Sequence, residues 1–182
     1  DPNTHIESII LPKKTIFQLI SLLEQTNEPV KISNSKSMIK FEMDTGVLTS
    51  KVIDGRFPDY NKVVPKDNDK ILEIKLNEFK NSIERVITVS SDRKEGLKMN
   101  ISKDFLQLSV SSPSSGDGVE NIKAKFNSDN MNISFNNRYL IDIASQIEND
   151  SIIINLSDAG SPVLIKDLLD INSFHVVMPM KI

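Results

Sequence analysis

The side chains that most often perform catalysis or bind metals are few in this chain and lie far apart. The only histidines are His5 and His175, and cysteine is absent, so disulfides and thiolate metal sites are excluded. Each histidine falls in a strand-like run without Asp or Glu at metal-ligand spacing, which favours an ordinary strand position. No Gly-rich phosphate loop, HExxH motif or nucleophile elbow is present. The sequence therefore predicts no catalytic residue, no metal and no cofactor, and a protein that is not an enzyme.

Basic side chains on three predicted helices indicate a different chemistry. They lie opposite the apolar stripe of each helix, and they are Lys13, Lys14, Lys80, Arg85 and Arg138. If the helices line one surface, that surface can hold a phosphate backbone without reading bases, although the formal net charge of the chain is −3. From charge alone, an ordinary polar helix surface is the simpler explanation.

Two further segments are unusual for a linker and a chain end. The linker VIDGRFPDYNKVVP, residues 52–65, combines two aromatic residues, an arginine and two prolines, and the chain ends in FHVVMPMKI. Chain ends are usually polar, whereas here Met178 and Met180 flank Pro179. Proline cannot continue a strand as a donor, and methionines adapt to varied apolar partners. The tail is therefore expected to be bound, and a shallow groove for a partner peptide is one interpretation.

The residues described above lie within or next to a sequence pattern that occurs three times, with a period of roughly 50–60 residues. Each repeat is β-α-β-β-β, which predicts an α+β fold with helices on one face of antiparallel sheets. The helical stripes are Ile16, Leu19, Ile20 and Leu23, then Leu76, Phe79, Ile83, Val86 and Ile87, then Leu140, Ile143, Ala144 and Ile147. Helix N-termini are predicted at Pro12, Asn77 and Asn136–Asn137.

Length and composition indicate a soluble globular protein. The chain has 182 residues, of which 38% are hydrophobic and 26% charged, and no apolar run approaches the ~20 residues that span a membrane. A single repeat has an open sheet and a half-covered helix, so it needs a partner. The second and third repeats can pair into a domain over residues 70–182. The first repeat, residues 5–56, is then unpaired, which predicts that the chain is a fragment.

Three motifs resemble a known family. IDGRFPDYNKVVP, the terminal VVMPMKI and SFNNRYL at residues 134–140 look like the bacterial β sliding clamp, the processivity subunit of the replicative DNA polymerase. The resemblance covers essentially all of the chain. It implies the DNA-clamp fold and a head-to-tail homodimeric ring in the bacterial cytoplasm. In such a ring the helices line a central hole that holds double-stranded DNA without sequence preference. Residues 1–66 would then be the second half of the middle domain with the interdomain linker at 52–69, and residues 70–182 the complete C-terminal domain.

The resemblance also implies a groove that binds short peptides of the polymerase, the clamp loader and repair proteins. Its residues here would be Pro58, Lys62, Val63, Asn136, Tyr139, Gly160, Pro162, Val176, Val177, Met178, Pro179 and Met180. Lys62 replaces a frequent arginine and cannot make the same forked contacts, and the DAGSP hairpin is unusually rich in Gly and Pro. The opposite wall, a T-D-G-H-R-L-type motif in the family, would lie upstream of Asp1. Thr88 and Val89 would belong to the dimer interface.

An interpretation of another class is also open. The same repeats would suit a stand-alone α+β module that binds peptides or acts in adhesion and has no relation to DNA. Such a module needs no basic helix face and no upstream sequence.

Overall fold

The computed structural model describes residues 9–89, 96–167, 170 and 173–181. The chain divides into two compact units, residues 1–59 and residues 60–182. His5 and most of the strand predicted at residues 5–11 lie outside the described residues, while His175 occupies a strand as predicted. Within the described part, no helix is long and apolar enough to cross a membrane.

The first unit has one helix and a three-stranded antiparallel sheet. Its elements are α1 Lys13–Leu23, β1 Lys31–Asn34, β2 Met38–Met43 and β3 Gly46–Lys51, with the strands in that order in the sheet. The Thr15 hydroxyl on α1 lies 2.7 Å from the Ser50 hydroxyl on β3. The helix begins directly after Pro12, as predicted, because a proline at a helix start gives up no intrahelical hydrogen bond.

The predicted apolar stripe of α1 is largely open to solvent in this chain. Ile16, Ile20 and Leu23 are between 39% and 49% exposed, and the adjacent Phe17 is 58% exposed. The hydrophobic residues of this unit that are buried are Ile39 and Phe41 on β2, among those described. The helical spacing was therefore predicted correctly, but the stripe covers no comparable core.

The second unit contains two β-α-β-β-β repeats in one eight-stranded antiparallel sheet. Its strands and helices are β4 Lys70–Lys75, α2 Leu76–Val86, β5 Gly96–Ile101, β6 Phe105–Ser112, β7 Gly116–Phe126, β8 Met131–Asn136, α3 Asn137–Ala144, β9 Ser151–Leu156, β10 Val163–Asp167 and β11 Phe174–Val177. Short 3₁₀ turns lie at Tyr60–Lys62 and Ile87–Val89. The strand order is β11-β10-β9-β4-β7-β6-β5-β8, so the predicted repeat plan is confirmed here.

The two repeats of this unit are joined at two places in the sheet, because β4 of its first repeat pairs with β9 of its second and β5 of its first pairs with β8 of its second. Strand β7 pairs with β6 from Gly116 to Lys123 and then with β4 from Ala124 to Phe126, while the other side of β4 pairs with β9. Each repeat therefore completes the sheet of the other, as expected for half-domains that cannot bury their apolar face alone.

The two helices of this unit cover one face of the sheet with the predicted stripes. Phe79, Ile83 and Leu140 are buried, and they belong to a single core with the inward-facing strand residues. Ile87 packs against this core only partly, because α2 ends at Val86 and continues as a 3₁₀ turn. Ile147 is buried just beyond the end of α3.

One predicted helix start is wrong and another is confirmed. Helix α2 begins at Leu76 with Lys75 in the N-cap position, not at Asn77. Strand β4 continues through Lys75, and the free amide of Leu76 donates to the carbonyl oxygen of Asp150 at 2.8 Å, so a side-chain cap is not needed there. Asn136 does cap α3, since its side-chain oxygen accepts from the amide of Arg138.

Candidate peptide-binding groove

A groove of about 590 Å³ opens on the surface of the second unit, where three segments of the chain meet. One wall is the linker that leads from the first 3₁₀ turn to β4, another is the hairpin between β9 and β10, and the third is the end of β11. The lining residues are 62–68, Ser157, Ser161, Pro162, Val176 and Met178. Residues far apart in sequence thus form one concave surface.

Apolar side chains at this groove are open to solvent. Val63 is 55% exposed and Met178 is 60% exposed. The 3₁₀ turn sets the direction of the linker, since the amide of Val63 donates to the carbonyl oxygen of Tyr60 at 3.0 Å. Exposed apolar side chains around a concavity are typical of a surface that binds an apolar partner.

Asn68 fixes the linker against the hairpin. Its Nδ2 donates to the carbonyl oxygens of Asn155 at 2.8 Å and Pro162 at 3.0 Å. One amide therefore joins the linker to β9 and to the end of the hairpin that follows β9. The sequence analysis missed Asn68, because an asparagine in a polar linker resembles an ordinary turn residue. Its partners, 87 and 94 positions away, become neighbours only in the folded chain.

The hairpin between β9 and β10 is shaped by Asp158. Its carboxylate accepts hydrogen bonds from the amides of Gly160 and Ser161, at 2.7 and 2.8 Å, and from the Ser161 hydroxyl at 2.7 Å. The hydroxyl of Ser161 contributes most to lowering the pKa of Asp158 below its ordinary value, and the two amides lower it further. This carboxylate thus holds the DAGSP turn through local hydrogen bonds.

The C-terminal tail is bound, as the sequence analysis expected. Strand β11 ends at Val177, which is buried, and two residues after it comes Pro179. The amide of Met180 then donates to the carbonyl oxygen of Ser134 on β8 at 2.7 Å. Since β11 and β8 are the two edge strands of the sheet, the tail connects one edge to the other.

The five basic residues predicted to face DNA have different surroundings. Lys13 and Lys14 begin α1 and are exposed, and the Lys13 ammonium lies 5.5 Å from the ring centre of Phe17. Lys80 is half-buried on α2. Arg138 on α3 lies 4.0 Å from the carboxylate of Asp142, both side chains being exposed.

Arg85 is the one of the five whose charge is matched by a close bidentate partner. Its Nε and Nη2 donate to the two carboxylate oxygens of Glu120 at 2.8 and 3.0 Å, and Nη2 also donates to Ser82 at 2.9 Å. The hydrogen bond lowers the pKa of Glu120 and raises that of Arg85. Arg85 is therefore held towards β7 in a charge-assisted pair.

Nothing in the described part of the chain resembles a metal centre, since no three His, Cys, Asp or Glu side chains are grouped to hold an ion. Comparison with known proteins identifies the family of the chain. Residues 61–181 match the DNA polymerase III beta subunit, C-terminal domain, and residues 1–59 match the central domain of the same subunit.

The chain belongs to the DNA polymerase III beta subunit family. It is 34% identical over 177 residues to the beta sliding clamp of Caulobacter vibrioides and 29% identical over 175 residues to that of Escherichia coli K12. Its structure is similar, with a TM-score of 0.91 and 36% identity, to the sliding clamp of Bartonella birtlesii bound to griselimycin. These alignments cover 96% to 97% of this chain and 48% of each relative. The chain thus spans about half the length of the relatives it matches.

Membership of the beta subunit family confirms the resemblance and the predicted fold class. A module of another class, unrelated to DNA, is not favoured, because clamp domains account for nearly the whole chain. The family match does not assign individual residues, so their roles are compared below with the geometry alone.

The structure brings some of the predicted peptide-binding residues of this beta subunit chain together. Lys62, Val63, Pro162, Val176 and Met178 line the groove. Gly160 and Met180 line a second cavity of the same unit.

The other predicted peptide-binding residues line neither cavity. Val177 is part of the core, Asn136 caps α3, and Tyr139 on α3 is 56% exposed. Pro179 lies in the tail, and Pro58 belongs to the first unit. Their contribution to peptide binding stays a prediction.

The residues predicted at the dimer interface lie in the 3₁₀ turn after α2. The Thr88 hydroxyl donates to the carbonyl oxygen of Arg85 at 2.7 Å. Gly118 on β7 lies against this turn: a Cβ there would be 2.7 Å from the carbonyl oxygen of Val86 and 3.0 Å from Val89. The position of the turn therefore depends on a glycine opposite it.

Proposed function

We propose that the protein acts as part of a DNA sliding clamp. In this proposal, residues 1–66 are the second half of a middle domain with its linker at 52–69, and residues 70–182 are a complete C-terminal domain. The full ring is a head-to-tail homodimer in the bacterial cytoplasm, with Thr88 and Val89 near the interface. It performs no chemical reaction. A closed ring prevents escape from duplex DNA, and binding of a partner then raises that partner's local concentration on the DNA.

The DNA-facing side of the ring is assigned to the basic helix residues. Lys13, Lys14, Lys80 and Arg138 offer ammonium and guanidinium groups that can contact phosphates without reading bases. Arg85 is proposed as the weakest contributor of the five, because Glu120 already neutralises its charge. Such delocalised contacts favour sliding, since each is weak and sensitive to salt.

The groove is proposed as the site for short apolar peptides of the polymerase, the clamp loader and repair proteins. The observation that carries this assignment is the exposure of Val63 and Met178 at a concavity lined by linker, hairpin and tail. These are the segments in which the family resemblance is most specific. When an apolar side chain of a peptide enters the groove, its own surface and the exposed surfaces of Val63 and Met178 are removed from water.

The groove assignment is tested by fluorescence anisotropy with a labelled five-residue peptide rich in Leu and Phe, and with griselimycin as competitor. Val63→Ala and Met178→Ala are each expected to weaken peptide binding by roughly three- to tenfold, because each removes about 1 kcal/mol of apolar burial. Val119→Ala is the matched control, since Val119 is also 55% exposed but lies outside the groove. Equal affinities in all four proteins would contradict the assignment.

A further inference from the structure

One of the six methionines of the chain differs from the others in its exposure to solvent. Met178 is 60% exposed, whereas Met99 is fully buried in the core. The other four are half-buried, namely Met38, Met43, Met131 and Met180. All six lie in the described part of the chain. An oxidant in solution therefore reaches the thioether of Met178 more readily than that of any other methionine.

The backbone is held on both sides of Met178. Val177 ends β11 and is buried, and the amide of Met180 donates to the carbonyl oxygen of Ser134 at 2.7 Å. Because side chains alternate along an extended chain, a buried Val177 leaves the side chain of Met178 pointing away from the core. The thioether therefore stays at the surface while Val177 and Met180 keep their contacts.

Met178 also lines the groove, where it contributes apolar surface. Two fixed polar groups of the same lining already have partners. The amide Nδ2 of Asn68 donates to two carbonyl oxygens, and the hydroxyl of Ser161 donates to Asp158. A new acceptor oxygen on Met178 would therefore depend mainly on water for its hydrogen bonds. An apolar peptide side chain that covers this oxygen removes the water, which is unfavourable for a polar group without another partner.

We propose that Met178 is a site of reversible oxidation by hydroperoxides, and that its oxidation state controls peptide binding to the groove. The proposal rests on the proposed function, since it needs an apolar peptide as the ligand of the groove.

The oxidation is a transfer of one oxygen atom. The sulfur of Met178 gives a lone pair to the terminal oxygen of the hydroperoxide, so that an S–O bond forms and the O–O bond breaks. The proton of the transferred hydroxyl moves to the departing oxygen. The sulfur is thereby oxidised by two electrons to the sulfoxide, and the hydroperoxide is reduced to an alcohol, or to water in the case of hydrogen peroxide. Methionine sulfoxide reductases reverse the change.

Oxidation of Met178 is expected to weaken peptide binding by about ten- to fiftyfold. This loss should exceed that of Met178→Ala. The alanine variant only removes apolar surface, whereas the sulfoxide also introduces an acceptor that loses its water when the peptide binds.

The test uses the 182-residue chain, hydrogen peroxide and the labelled peptide rich in Leu and Phe. Mass spectrometry of proteolytic fragments follows oxidation at each methionine, and fluorescence anisotropy gives the peptide affinity before and after oxidation. Met178→Leu removes the oxidisable sulfur from the groove. Met43→Leu is the matched control, because Met43 is a half-buried methionine at the end of β2 in the first unit. Each protein is compared with itself before oxidation, so a change in starting affinity does not affect the result.

Met178 is expected to be oxidised first. The unaltered protein and Met43→Leu should then lose affinity, Met178→Leu should keep its own affinity, and methionine sulfoxide reductases should restore what was lost. Oxidation of Met178 without a loss of affinity would overturn the proposal, as would an equal loss in Met178→Leu. Slower oxidation of Met178 than of the half-buried methionines would also overturn it, whether or not a peptide binds. If the unoxidised protein binds no peptide, the proposed function fails and the proposal fails with it.

Discussion

At the scale of single residues, the shape of the groove depends on polar side chains that belong to no apolar stripe of a helix or strand. Val63 and Met178 stand out in the sequence because they are apolar residues in a linker and at a chain end. Both line the groove. Asn68 and Asp158 do not stand out, because their function is to bond backbone groups that only the fold brings near. Sequence reasoning therefore named two residues that line the groove but missed the side chains that shape it.

Asn68→Ala is expected to weaken peptide binding and to lower stability. It leaves the carbonyl oxygens of Asn155 and Pro162 without their donor, and the loss of such bonds costs about 1–3 kcal/mol. Urea unfolding and peptide anisotropy measure the two effects. Asn81→Ala, at an exposed position of α2, is the control and should change neither. Unchanged affinity in Asn68→Ala would show that the linker keeps its place without this amide.

Asp158 should make the hairpin sensitive to acid. Its pKa is lowered in the folded state, first by the Ser161 hydroxyl and then by the two amides, so the ionised form is favoured by folding. Its stabilising contribution is then complete above the ordinary carboxyl pKa of about 3.9 and is lost as the pH falls through the lower folded-state value.

Asp158→Ala is accordingly expected to be less stable than the unaltered protein at pH 7, with the difference fading in strong acid. Urea midpoints at several pH values measure this difference, and NMR titration of the Gly160 and Ser161 amides follows the same carboxyl group. Asp129→Ala removes an exposed carboxylate outside the hairpin and serves as the control. A constant difference at all pH values would exclude the ionised carboxylate as the cause.

At the scale of elements, periodicity predicted the helices well and their boundaries less well. The stripes of α2 and α3 are buried because a 3.6-residue period places them on one side of the helix. The start of α2 was misplaced because the Leu76 amide is satisfied by Asp150, which directly precedes the neighbouring strand β9. Local sequence therefore cannot identify that helix start.

Gly118→Ala is expected to displace the 3₁₀ turn that carries Thr88 and Val89. A Cβ at this position would come within 2.7 Å of the Val86 carbonyl oxygen, which is backbone and cannot rotate away. Overpacking of this kind costs typically 1–3 kcal/mol. Urea unfolding measures the loss, and NMR shifts of the Thr88 and Val89 amides report the displacement.

Gly160→Ala is the control for this substitution. A Cβ at Gly160 would meet only the Asp158 carboxylate, at 3.6 Å, which is an ordinary contact. Its stability should therefore change much less. Equal loss in both variants would mean that alanine itself, and not the contact with Val86, is responsible.

At the scale of the whole molecule, the core is distributed unequally between the two units. The connected core cluster lies entirely within residues 72–177, whereas Ile39 and Phe41 are the buried hydrophobic residues described in the first unit. The repeat pattern predicted only that the second and third repeats can pair and that the first is left unpaired. It could not predict how much of the α1 stripe stays exposed, because exposure depends on what packs on the helix and not on its spacing.

Residues 60–182 and residues 1–59, expressed separately, should differ in stability because the buried core is distributed unequally between them. The longer piece is expected to unfold cooperatively, with a urea midpoint close to that of the same transition in the full chain, because it contains the complete core and every groove-lining residue. The shorter piece, with three strands and an exposed helical stripe, should bind a hydrophobic dye and lack a cooperative transition. Peptide affinity of the longer piece then tests Pro58. A loss matched by Pro58→Ala in the full chain would assign that proline to the site, while a longer piece that fails to fold would refute the independence of its core.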